Sequence, residues 1–159
     1  MTNNDILRRI RYIFDLSDTK MIAIFAAADH QITRAEVSDL LKRFDDPAHQ
    51  ECSDSLLATF LNGLINDRRG KKDGPQPEPE KELTNNIIFR KMKIALTLDA
   101  DETLEILAIA DMRLSKHELS AFFRRPDHKH FRECKDQVLR NFLKGLQIKL
   151  RGAPTGDGE

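Results

Sequence analysis

Glu51-Cys52-Ser53-Asp54-Ser55-Leu56-Leu57-Ala58-Thr59-Phe60-Leu61-Asn62-Gly63-Leu64 is answered 82 residues later by Glu133-Cys134-Lys135-Asp136-Gln137-Val138-Leu139-Arg140-Asn141-Phe142-Leu143-Lys144-Gly145-Leu146. The same register holds without a gap in both directions. It places Asn3-Asn4 on Asn85-Asn86, Asp29 on Asp111, Glu36 on Glu118, Arg43 on Arg125 and Arg69-Gly70 on Arg151-Gly152. The chain is therefore a tandem duplication of a 68-residue unit, 3–70 and 85–152, joined by 71–84. A lone helical unit of that size is marginal, so the two copies are expected to pack together. An open solenoid would need more copies to bury its faces.

The quoted stretch reads as a helix with apolar residues three and four apart. The whole unit reads as four helices. The first covers about 5–16, with Ile6, Leu7, Ile10, Ile13 and Phe14 on one face, answered by Ile88, Phe89, Met92, Ala95 and Leu96. Asn4 and Asn86 are read as its caps. A second helix begins near Asp18 and Asp101. Thr33-Arg34-Ala35-Glu36 and Ser115-Lys116-His117-Glu118 are capping boxes that open a third, burying Val37, Leu40, Leu41 and Phe44, or Leu119, Phe122 and Phe123. Pro126 is expected to stop the second copy of this helix. Asp54 and Asp136 are expected to cap the fourth. Gly63 and Gly145 lie inside it, where glycine costs about 1 kcal/mol relative to alanine, so a neighbouring helix is expected to approach too closely for a Cβ. The fold class is all-α, two tandem four-helix repeats packed with pseudo-two-fold symmetry.

Lys71 to Thr84 carries prolines at 75, 77 and 79 and reads as an extended solvated connector. Residues 153–159 are expected to be a disordered tail. Two cysteines, one per repeat at equivalent positions, are no disulfide framework. No apolar run is long enough to span a bilayer. A cytoplasmic protein with reduced thiols and no membrane association is expected.

The 26 basic and 26 acidic residues balance overall but not by repeat. Repeat 1 carries 9 Lys/Arg and 11 Asp/Glu, repeat 2 carries 14 and 9, a net −2 against +5. The excess concentrates in Arg124-Arg125-Pro126-Asp127-His128-Lys129-His130-Phe131-Arg132, where repeat 1 has Lys42-Arg43-Phe44-Asp45-Asp46-Pro47-Ala48-His49-Gln50. Arg124, Arg125, His128, Lys129, His130 and Arg132 form a candidate anion site, guanidinium forks and an ammonium suited to phosphate or carboxylate. The competing reading is a solvated loop whose cations pair locally with Asp127, Glu133 and Asp136.

Other chemistries are weaker. His128, His130 and Cys134 match no usual zinc spacing, and no metal or cofactor is expected. A cysteine nucleophile would need a base and oxyanion donors beside it. Segment 26–43 admits a helix-turn-helix reading, with Arg34 and Ser38, or Lys116, His117, Ser120 and Arg124, on the third helix. Two capped helices of a plain bundle explain the same residues. Arg8, Arg9 and Arg11, with Arg90, Lys91 and Lys93, read as a wet face opposite the core. One tyrosine and no tryptophan leave few stacking platforms, the phenylalanines reading as core.

Asn3-Asn4-Asp5-Ile6-Leu7-Arg8, Phe60-Leu61-Asn62-Gly63-Leu64-Ile65, Asn85-Asn86-Ile87-Ile88, Pro126-Asp127-His128-Lys129 and Phe131-Arg132-Glu133-Cys134 resemble the YehS-like family of bacterial proteins, from Asn3 to about Leu150. The resemblance implies a small cytosolic protein of duplicated helical repeats. That family is one of unknown function, and the resemblance supplies no catalytic or binding residue. A non-catalytic binding protein is expected, contacting RNA or DNA phosphate through the second repeat. The alternative is a protein-interaction adaptor with an apolar groove between repeats. An enzyme using the His/Cys loop ranks third.

Overall fold

The computed structural model describes residues 1–152; the expected disordered tail lies outside them. Among the described residues eight helices follow in order: α1 (Asn3–Ile13), α2 (Asp18–Ala27), α3 (Arg34–Leu41), α4 (Asp54–Arg69), α5 (Asn85–Ala95), α6 (Ala100–Ile109), α7 (Lys116–Ala121) and α8 (Asp136–Arg151). Each repeat supplies four.

Capping sets where they start. Thr2, Thr33, Asp99 and Ser115 form reciprocal boxes with Asp5, Glu36, Glu102 and Glu118, while Ser17, Ser53 and Thr84 cap through the hydroxyl alone. Asn4 and Asn86 are therefore not the caps; they lie inside α1 and α5, 3 % and 8 % exposed. Asp54 and Asp136 are not caps either. They occupy the first helical position behind Ser53 and Lys135, where a carboxylate faces the positive end of the helix dipole.

The third helix is shorter than its apolar pattern suggests. α7 ends at Ala121, so Pro126 does not stop it, and Phe44 lies beyond α3, 83 % exposed rather than buried. Asn4 and Asn86 explain the early ends. Their Nδ2 atoms donate to Leu40 O and Phe122 O, at 2.8 and 2.9 Å, removing the carbonyls that a further turn would use. Residue 126 is proline and has no N–H for Phe122 O.

Reciprocal contacts establish the pseudo-two-fold. Asp54 Oδ2 accepts from Leu83 N, and Asp136 Oδ2 accepts from the Met1 amine. Arg69 donates to Ile94 O, and Arg151 lies over the Tyr12 ring. Each partner in one contact is 82 residues from its counterpart in the other. The contacts also fix direction. α1 and α8 meet at both their starts and their ends, as do α4 and α5. Asn3 to Asp54 and Arg68 over Phe14 align α1 with α4 in the same sense. The four long elements run parallel, their N-termini gathered at one end.

Parallel neighbours explain the connector. α4 is 16 residues, about 24 Å at 1.5 Å per residue. The chain must return that distance before α5 starts, and 14 residues at about 3.1 Å each are ample. The connector is not wholly solvated. Gln76 accepts from Asn66 Nδ2 at 2.7 Å, and Glu80 pairs with Lys91 at 3.1 Å. Lys91 also donates to Asn62 across the repeat boundary, so it belongs to the seam and not to a wet face.

α2 and α6 cross α4 and α8 at the two glycines. A Cβ on Gly63 would lie 1.9 Å from Ile24 O, and one on Gly145 2.0 Å from Ile106 O. The expected close approach is present in both copies, with Met21, Ile24, Phe25, Phe60, Ile106, Leu107 and Phe142 fully buried around it.

Candidate functional site

The basic loop is ordered by one buried amide. Asn86 donates to Phe122 O and to Arg132 O, at 2.9 and 2.8 Å, and its Oδ1 accepts from Cys134 N at 2.9 Å. Arg132 N closes onto Ala121 O. Both feet of 122–134 are thus tied to α5. Within the loop, His128 and Phe131 donate backbone N–H groups to Arg125 O and His128 O, and His128 Nδ1 accepts from His130 N at 3.0 Å. Asn4 makes the same three bonds in repeat 1, to Leu40 O, Gln50 O and Cys52 N.

This clamp shapes twin clefts. The first, about 700 Å³, is lined by Asn4, Asp5, Arg8, Arg43, Phe44 and His49 among others. The second, about 580 Å³, is lined by Ile87, Arg90, Phe122, Phe123, Arg124 and Phe131 among others. Each is built from one repeat's residues and the two that precede it, Met1-Thr2 or Leu83-Thr84. The Asn3–Asp54–Leu83 and Met1–Asp136–Asn85 bonds run between them, so both open at the end where the four N-termini gather.

The two clefts differ in charge for a reason visible residue by residue. In the first, Arg8 is held by Asp5 and by Lys42 O, and Lys42 pairs with Asp39 at 2.8 Å. Hydrogen bonding to Asp39 raises the Lys42 pKa. The second cleft keeps the cations, as Arg90 and Arg124, but has Ile87 for Asp5 and Ala121 for Asp39. The exposed loop beside it has His128 for Asp46, and adds Lys129 and Arg132 where repeat 1 has Pro47 and Gln50.

Of the six candidates, Arg125, His128, Lys129, His130 and Arg132 are exposed on one loop, while Arg124 turns inward and is half-buried. Its only bond among the described residues is a long one to Ser120 Oγ, 3.4 Å, and its Nε is buried without a partner. Local pairing is slight. Arg125 meets Asp127 at 3.6 Å and Arg132 meets Glu118 at 3.8 Å, all four side chains open to solvent. Exposed pairs of that kind are worth about 0–1 kcal/mol. Glu133 is taken by Lys135 at 3.2 Å. Lys129 and Arg90 have no hydrogen bond or ion pair with any described residue.

Three side chains join the site that sequence reasoning placed elsewhere. Arg90 lines the cleft, Lys93 sits 5.0 Å over the Phe123 ring, and His117 at the start of α7 lies 6.1 Å from the His130 ring. The loss of Asp5 and Asp39 between copies was a readable signal for Arg90 and Arg124. Nothing in the sequence alone signalled Phe131 as a cleft wall.

The thiols have no activated character. Cys134 is 2 % exposed, and burial, then the Asp136 carboxylate, push its pKa up to about 12; Cys52 is held at about 12 in the same way with Asp54. Among the described residues no three His, Cys, Asp or Glu side chains are grouped to hold a metal ion. Arg34, a recognition-helix candidate, is instead engaged by Asp18 and Thr19. No helix among the described residues is long and apolar enough to cross a membrane.

The fold and the twin clefts make this a duplicated all-α protein whose two copies differ at one equivalent cleft. The chain belongs to the family described as "Protein of unknown function (DUF1456)", whose model matches twice, over 3–70 and 85–152. It is 43 % identical over 150 residues, 94 % of this chain and 96 % of the other, to the uncharacterised protein YehS of Escherichia coli (strain K12). No solved structure matches it.

Proposed function

We propose that the protein is a non-catalytic nucleic-acid-binding protein of the cytoplasm that holds phosphates on the second-repeat loop. One observation carries the reading: the duplicated scaffold keeps the cations Arg8 and Lys42 as Arg90 and Arg124, but has Ile87 and Ala121 where their partners Asp5 and Asp39 stand. Stability cannot require that loss, since repeat 1 folds the same way with the acids present. Arg125, Lys129 and Arg132 reach outward for phosphate oxygens, with Arg90 and Arg124 behind them and His117, His128 and His130 alongside as hydrogen-bond donors. The parallel N-termini add a favourable field at the same end.

Three cations facing phosphates, Arg125, Lys129 and Arg132, imply a slope of log Kobs against log salt of about −2 for a single strand and about −2.7 for a duplex. Fluorescence anisotropy with RNA and DNA probes, from low to physiological salt, measures it. The Arg125→Ala/Lys129→Ala variant, whose side chains contact no core, is expected to weaken binding and flatten the slope by about two phosphate contacts. Salt-independent binding, or none at low salt, refutes the reading.

A protein-interaction adaptor is the second reading, favoured by Phe44, the most exposed of the large apolar side chains and placed at the mouth of the first cleft. A photo-crosslinking residue at position 44 tests it in cells. Absence of any specific adduct removes it.

A further inference from the structure

We infer that the second-repeat cleft is a subsite for an unpaired nucleobase, making the ligand a single strand with one base turned out of its stack. This rests on the phosphate reading of the adjoining loop.

Three phenylalanines line this cleft, whereas Phe44 is the one phenylalanine lining its twin. Phe122, Phe123 and Phe131 stand where repeat 1 has Leu40, Leu41 and His49, and Ile87 stands where it has Asp5. Phe122 and Phe123 are fixed from behind by Phe89, with ring centroids 6.4 and 5.0 Å apart. Phe131 is in no such cluster. Its ring is half-buried, pairs with no other ring among the described residues, and lines the same cleft as Arg90 and Arg124. In the twin, His49 at that position is tied through Nδ1 to Lys42 O at 2.8 Å, so that wall is occupied.

An apolar pocket needs no arginines, and a phosphate site needs no phenylalanines. Finding both within one opening of about 580 Å³ selects a ligand with a flat π face and anionic groups close beside it. A base stacks on Phe131 irrespective of its identity, while its edge reaches the half-buried Arg124 guanidinium, whose Nε has no partner. The flanking phosphates fall on Arg125, Lys129 and Arg132. A duplex keeps its bases stacked and presents only phosphate, so it uses the loop and leaves the cleft empty.

The test compares a fluorescein-labelled mixed-sequence single-stranded 12-mer (about the length one such module covers) with a hairpin duplex. Wild-type, Phe131→Leu and Arg125→Ala/Lys129→Ala proteins are measured, each shown by circular dichroism to be folded. Leucine retains apolar bulk and removes the stacking face. The single strand is expected to bind about tenfold tighter than the duplex, and Phe131→Leu to lose about tenfold on the single strand and nothing on the duplex. The double variant should weaken both. Equal affinity for the two probes, or a Phe131→Leu protein indistinguishable from wild type, overturns the base subsite and leaves the phosphate reading standing. No binding of either probe overturns both.

Discussion

Replacing Gly63 or Gly145 by alanine tests the packing logic most directly, because two effects of opposite sign compete. Alanine is the better helix former by about 1 kcal/mol, so propensity alone predicts stabilisation. The structure predicts the reverse. The new Cβ would stand 1.9 Å from Ile24 O in repeat 1 and 2.0 Å from Ile106 O in repeat 2, with the carbonyl carbons at 2.9 Å. Ordinary carbon–oxygen contact is at about 3.3 Å or more, so a backbone carbonyl, and with it a helix, must retreat by more than 1 Å. Overpacking that bends side chains costs about 1–3 kcal/mol, and moving a helix belongs at the upper end of that range. Subtracting the propensity gain leaves a net loss of about 2 kcal/mol per site. For a chain of this length that lowers Tm by about 4–8 °C. Thermal unfolding followed by circular dichroism measures it, with Ala23→Gly, at an exposed position of α2, as the control that reports propensity alone, a loss of about 1 kcal/mol. Both glycine variants should fall by similar amounts, since the two crossings have the same geometry. A Tm that rises would show that the α2–α4 and α6–α8 approaches are looser than described, and would refute the reasoning.

Asn86→Ala leaves Phe122 O, Arg132 O and Cys134 N without their buried partner, so a loss of about 3 kcal/mol or more is expected in urea denaturation. Proteolysis within 122–134 should accelerate in that variant, and Asn4→Ala should cost a similar amount while sparing this loop. Asp54 and Asp136 are held below the usual carboxylate range, chiefly by the Asn3 and Asn85 amides. A depressed folded-state pKa contributes stability above the unfolded value of about 3.9, which is lost as pH falls through the folded-state pKa. Tm in wild type should therefore drop on the acid side, and Asp54→Asn/Asp136→Asn should flatten that limb; an unchanged limb contradicts the assignment. Thr97 adopts φ +53° at the position where repeat 1 uses Asp15, a conformation poorly suited to a β-branched residue. Thr97→Gly is expected to stabilise by about 1 kcal/mol, and a lower Tm would argue against strain there.

Much of the site was legible once the copies were compared, and the rest was not for definite physical reasons. The loop cations stood out as a local excess of charge. The cleft did not, because its walls come from the start of α5 and from both feet of 122–134, brought together by the Asn86 amide. An asparagine just before an apolar helical pattern reads as a cap, since its side chain can accept from the first free N–H groups. Only the fold shows that a threonine two residues earlier had taken the role. Phe44 failed for a related reason: spacing marks a helical face but carries no information on where tertiary hydrogen bonds end the helix.

Register of the duplication, the helical character of each unit, the capping boxes at Thr33 and Ser115 and the tight glycine crossings all followed from the sequence alone. They rest on local periodicity, local hydrogen bonding and residue size, each encoded within a few positions. Tertiary structure decided the direction of the four long helices and the clamp made by Asn4 and Asn86. Each of those is settled by a contact between residues tens of positions apart, whose free energy exists only when the elements have met.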